Sequence, residues 1–192
     1  NAGTVIQWLR DGLQIIDQAP QVNELAHSVP DSGGVMLVPA FTGWGTPHWD
    51  PQARGVLVGL TRDSGRGHIA RAALEGIALS VATLVELAEK ALGTSLGELA
   101  VDGGAAASDP LLQAQADCTG LTVRRPANLE STARGVALFA GLQAGVITDL
   151  EHLATTRGDG AELFLPRLDG SQRSRWRERW QDAVSRSLGW HG

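Results

Sequence analysis

The stretch Leu99-Ala100-Val101-Asp102-Gly103-Gly104-Ala105-Ala106-Ala107-Ser108-Asp109-Pro110 decides how the rest of this chain is read. Its apolar start is short enough for a buried strand, two glycines and three alanines follow, and Ser-Asp-Pro opens a helix well. The expectation is strand, bare turn, helix. Gly103 and Gly104 carry no Cβ atoms to hold a ligand off the backbone, and the first N–H groups of the next helix favour negative charge. That chemistry suits a nucleotide phosphate. A Gly-Gly pair between strand and helix is also ordinary turn chemistry, so the structural reading stays open beside the functional one.

Working outward, the helix expected from about Asp109 to Thr119 ends near Gly120, and Leu121-Thr122-Val123-Arg124 alternates as a half-buried strand before Pro126. Thr132 reads as the cap of a further helix whose small residues Ala133, Ala137, Ala140, Gly141, Ala144 and Gly145 predict tight packing on a sheet. Ala161 to Leu165 reads as an edge strand. Trp176, Trp180, Val184 and Leu188 form the core stripe of a terminal helix.

On the N-terminal side, the longest helix begins near His68 and keeps Ile69, Ala72, Ala73, Ile77, Val81, Leu84 and Leu87 on one face, with Gly93 as its stop. Arg71 and Glu75 are spaced to pair across one turn. Short strands are expected at Val35-Met36-Leu37-Val38 and Gly55-Val56-Leu57-Val58-Gly59-Leu60. Between them Phe41 to Pro51 is an aromatic loop; His48 and Asp50 lack partners at metal-ligand spacing, so a packed loop is the better reading. Helices are expected from Thr4 to about Ile16, bent at Gly12, and around Val22 to His27. Strands and helices alternate, which makes the fold class α/β.

The 192 residues, 43% hydrophobic, suffice for one good core and one domain. A net charge of −5 and a pI near 5.5 argue against a nucleic-acid surface. The arginines at 173, 175, 177 and 179 alternate with Glu178 and Asp182 as a solvated helix face would. Cys118 is the only cysteine, so no intrachain disulfide can form and a reducing compartment is expected. No stretch is read as a membrane span or a signal segment, and the expected location is the cytoplasm. Asn1 leads at once into what reads as a helix, so the chain is expected to be a piece of something longer, cut near a domain boundary.

Gly55-x-Leu57-x-Gly59-Leu60, seven residues, then His68-Ile69-x-x-Ala72-Ala73-Leu74-Glu75 resembles the second signature of the FGGY carbohydrate kinases. The likeness leans toward the branch of that family that phosphorylates glycerol. Ala2-Gly3 with Ile6-Gln7-Trp8-Leu9-Arg10-Asp11, Val38-Pro39-Ala40-Phe41-Thr42-Gly43, Trp49-Asp50-Pro51 and Val101-Asp102-Gly103-Gly104-Ala105 all carry it. The resemblance implies an actin-like (ribonuclease H-like) domain, a central mixed sheet flanked by helices. On this reading residues 1–192 are the C-terminal nucleotide-binding domain of a two-domain kinase, whose absent N-terminal domain holds the polyol and the catalytic carboxylate.

The same resemblance implies ATP with Mg²⁺ as cofactor, glycerol as acceptor and a homo-oligomer at full length. Gly3 and Gln7 would line the ATP site from the first helix, and Gly104 and Ala105 would approach it through backbone. Ser108 stands where the family usually has an asparagine, keeping a polar group but losing an amide, and capping its own helix is an equal use of the hydroxyl. Asp102 is expected to shape the turn rather than act as a base. The sequence also departs from the family pattern at Trp44, Thr46, His48, Gly76 and Arg134. These leave room for a pentulose or sugar-acid kinase, or for a non-catalytic nucleotide-binding module.

Overall fold

Helix α3 (Arg66–Leu92) is the axis of the computed structural model, which describes residues 2–148 and 160–190. Before it come α1 (Ala2–Gln7), a π-helical turn (Trp8–Gly12), α2 (Gln21–His27), β1 (Met36–Val38) and β2 (Val56–Val58). After it come β3 (Glu98–Ala100), a 3₁₀ turn (Gly104–Ala107), α4 (Asp109–Thr119), β4 (Thr122–Arg125), α5 (Ser131–Gln143), β5 (Glu162–Phe164) and α6 (Gly170–Ser185). The alternation makes the fold α/β, as expected. Asn1 lies outside the described residues.

α3 packs against α4, α2 and β1 and carries most of the core, with Ala70, Ala73, Leu74, Ala78 and Leu79 closed off from water. Alanine and glycine on this face let neighbouring backbones come close. At Gly76 a Cβ atom would fall inside the contact radius of the Leu37 carbonyl oxygen, so β1 lies directly against the helix backbone there. The helix ends at Gly93, whose φ of +66° supplies the left-handed stop.

Contrary to the expectation that no stretch reaches membrane-span length, an 18-residue window of α3 does, but 61% of it is buried inside the protein. It is a core helix. Arg71 and Glu75 pair at 2.8 Å. Glu75 is only 8% exposed, and its burial raises the carboxyl pKa above the usual value even with Arg71 and Ser32 opposing the shift.

The strands form two sheets. β1 and β2 pair antiparallel, Met36 opposite Val58, while β3, β4 and β5 form a mixed sheet in that order. β3 runs parallel to β4, and β4 antiparallel to the edge strand β5. Leu112, Ala116 and Val123, with Leu99, Val101 and Phe164, make a small second core under the mixed sheet.

Three local expectations are corrected. Thr132 does not cap α5: Asn128 Oδ1 accepts the Glu130 N–H at 2.8 Å, and the helix starts at Ser131. Nor does α5 pack tightly on a sheet, for none of its residues is buried, and Val136 and Phe139 are 67% and 70% exposed. Its small residue Gly141 instead receives Ile147 from the chain that folds back after the helix, with the Val146 and Ile147 amides donating to the Gly141 carbonyl at 2.9 and 3.1 Å.

Two of the four arginines of α6 are staples rather than part of a solvated face, while Arg175 stays exposed and reaches only Ser171 of its own helix. Arg177 pairs with Glu86 and donates to the Cys118 carbonyl at 3.0 Å, and Arg179 donates to the Gly34 carbonyl at 3.0 Å. Trp180 is buried and Trp176 packs beside the core, as their spacing predicts.

Candidate functional site

The glycine turn is anchored from behind and bare in front. The Val101 amide donates to the Arg124 carbonyl at 3.0 Å, holding the end of β3 to β4, and the Gly103 amide donates to the Leu129 carbonyl at 2.9 Å. Arg125, at the end of β4, donates to the Ala106 carbonyl at 2.9 Å and to Asp109 at 2.7 Å, and also pairs with Glu162. These contacts fix the turn against the sheet. Gly103 has φ +80° and ψ 177°, a conformation that only glycine takes without strain. No heavy atom lies within 4 Å of a Cβ placed on Gly103 or Gly104, so space is open over both. Gly104 and Ala105 begin a helical turn and have no intrahelical acceptor for their N–H groups.

That open backbone borders a recess of about 150 Å³. Gly104, Ala105, Ala107 and Ser108 form one wall, Ala2 and Ile6 of α1 another, Val22 and Asn23 of α2 a third, and Leu74 and Ile77 of α3 the floor. Of the predicted site residues, Gly104, Ala105 and Ser108 are therefore brought together at one recess. Gly3 and Gln7 are not in its lining. They sit on α1 one position beyond Ala2 and Ile6, sharing the neighbouring exposed face of the helix, and a Cβ on Gly3 would also meet open space.

Ser108 caps α4, its Oγ accepting the Leu111 N–H at 3.3 Å, and the same hydroxyl donates to Asn23 Oδ1 at 2.6 Å. The helix-capping use of this residue is thus realised, together with a contact to α2. Sequence reasoning missed Asn23, because its partner is 85 residues away. The one available signal was a carboxamide in α2 between the buried Val22 and Ala26.

Asp102 is exposed and lines a different recess of about 360 Å³ with Arg124, Asn128, Ser131 and Arg134. A larger cleft, about 610 Å³, lies between α3, α6 and the aromatic loop, and no predicted site residue lines it. Its polar groups are largely spent on structure: Trp180 Nε1 donates to Thr83 at 3.1 Å, Trp44 Nε1 to Ser187 at 3.0 Å, and Arg177 pairs with Glu86. His48 stacks edge-on against Trp44, and Asp50 accepts the Gln52 and Gly189 amides at 2.8 and 2.7 Å, as a packed loop requires.

Residues 1–144 match the model of the FGGY family of carbohydrate kinases, C-terminal domain. The chain belongs to the FGGY family of carbohydrate kinases. Its relatives include a glycerol kinase of Trichlorobacter lovleyi, 50% identical over 189 residues, covering 98% of this chain and 38% of that protein. Among solved structures, this FGGY domain is similar to Plasmodium falciparum glycerol kinase with ADP, at 29% identity and a TM-score of 0.86, over 97% of this chain and 37% of that one. A xylulose kinase from Rhodospirillum rubrum is similar at 25% identity and a TM-score of 0.71, over 95% of this chain and 37% of its own. The chain thus spans under two fifths of the length of these relatives.

Proposed function

We propose that residues 1–192 are the C-terminal, nucleotide-binding domain of a cytoplasmic two-domain kinase that transfers the γ-phosphate of ATP to glycerol. The observation that carries this reading is the open backbone at Gly104 and Ala105, held rigid from behind by Arg125 and opening on a recess shared with α1. The 50% identity to a glycerol kinase along almost the whole chain supports the choice of acceptor.

Phosphoryl transfer asks the protein mainly for alignment and charge stabilisation. A terminal hydroxyl oxygen of glycerol attacks the γ-phosphorus, the bond from γ-phosphorus to the bridging oxygen breaks, and ADP leaves with that electron pair. The hydroxyl proton passes to a carboxylate in the other domain. The present chain's part is to hold the nucleotide: the apolar recess takes one end, and the bare glycine turn lets the rest lie along backbone N–H groups without a side chain between. Gly3 and Gln7, on the neighbouring exposed face of α1, would lie along the rest of the nucleotide. Mg²⁺ bound with ATP would supply neutralisation of charge on the triphosphate, and it would be held largely through the phosphates, with few ligands from this chain. Among the described residues no three His, Cys, Asp or Glu side chains converge into a cage.

The test is phosphoryl transfer by the full-length protein, followed by ³¹P NMR with glycerol, xylulose or gluconate as acceptor. Glycerol 3-phosphate as the dominant product is expected, with no turnover by residues 1–192 alone. Preferential phosphorylation of xylulose or gluconate would assign the chain to another FGGY kinase, and no transfer to any acceptor would favour a non-catalytic binding module.

A further inference from the structure

The recess beside the glycine turn is too small for a whole nucleotide. About 150 Å³ falls below the ~300 to 1,000 Å³ of a complete small-molecule site, so it receives one end of its ligand. Its walls choose which end. Ala2, Ile6, Val22, Leu74, Ile77 and Leu111 are apolar, which suits the flat face of a base and penalises a buried phosphate. Only two lining side chains carry polar atoms, Asn23 and Ser108.

Those two are ordered with respect to each other. Ser108 Oγ accepts the Leu111 N–H, and its own proton goes to Asn23 Oδ1 at 2.6 Å. With Oδ1 occupied in this way, the carboxamide orientation is set and the Nδ2 hydrogens are what Asn23 offers to the recess. Resting on the nucleotide-binding reading above, we propose that Asn23 reads the base: it donates to a ring-nitrogen lone pair of adenine, and Ser108 is the positioning residue that fixes its orientation. Adenine presents the N1 lone pair on its Watson–Crick edge, where guanine presents N–H donors that would confront the Asn23 amide.

The experiment is calorimetric titration of the full-length enzyme with ADP and with GDP, for the wild type, Asn23→Ala and Asn23→Asp, alongside melting temperatures. Asn23→Asp keeps the size of the side chain and the oxygen that Ser108 donates to, but replaces the donor by an acceptor. Loss of one hydrogen bond to the base should weaken ADP about tenfold in Asn23→Ala. In Asn23→Asp the ratio of ADP to GDP affinity should shift toward GDP by about the same factor or more, and a merely structural role would not move that ratio. Wild-type binding of ADP with affinity and ratio unchanged in both variants overturns the assignment of Asn23 and leaves the kinase reading intact. A wild-type enzyme that binds neither nucleotide overturns the kinase reading and this inference with it.

Discussion

Single residues here are held by competing forces whose outcome can be read from pH. Glu75 is deep in the core beside Arg71, and burial outweighs the ion pair, leaving its carboxyl pKa above the usual value near 4.5. Between that value and the raised one, the folded protein keeps a proton that the unfolded chain has released. The contribution of Glu75 to stability is therefore complete below pH ~4.5 and declines as pH rises through the raised pKa. Glu75→Gln removes this decline. Melting temperatures of both proteins from pH 4.5 to 7 should show the variant gaining on the wild type as pH rises; a wild-type advantage that grows with pH would mean that the Arg71 pair dominates instead. Cys118 illustrates the same force without a partner of comparable strength: burial pushes its thiol up to about 12, which makes it packing rather than a nucleophile.

At the scale of elements, α3 is positioned by what it lacks. A Cβ on Gly76 would strike the Leu37 carbonyl, a backbone group in β1 that cannot swing aside as a flexible side chain could. Gly76→Ala should cost about 1 to 3 kcal/mol by overpacking. Each kcal/mol lowers the melting temperature by about 2 to 4 °C in a chain of this size. An unchanged melting temperature would show that β1 can retreat from the helix at no cost. The boundaries of α3 and α4 were legible in the sequence because their cues are local: apolar periodicity, Gly93 and Gly120 as stops, Asp109-Pro110 at a start. The role of α5 was not legible. A stripe of small residues predicts close approach but does not name the partner, and at Gly141 the partner is Ile147 from the helix's own continuation. Arg177 and Arg179 of α6 were misread for a similar reason, since charge alternation describes the helix alone and the carbonyls of Cys118 and Gly34 that they staple are supplied by tertiary packing.

For the whole molecule, the strand, bare turn and helix that open the sequence reading are present, although the strand is largely exposed rather than buried, and the turn and helix border the recess where α1, α2 and α3 meet. The turn was legible because Gly103, Gly104 and Ser108 act through their own backbone and cap. Two things were not. The strands divide into a pair and a triplet, which three- and four-residue segments do not announce. Asn23, the polar group facing the turn, comes from a helix distant in sequence. The central claim is that a nucleotide lies against the backbone at Gly104. The most direct measurement is the ADP affinity of full-length Gly104→Phe, a position where the backbone accepts a side chain and no protein atom lies within 4 Å of its Cβ. The account predicts an unchanged melting temperature and an affinity reduced by about tenfold or more, since the ring occupies the ligand's space. Wild-type affinity in that variant would contradict it.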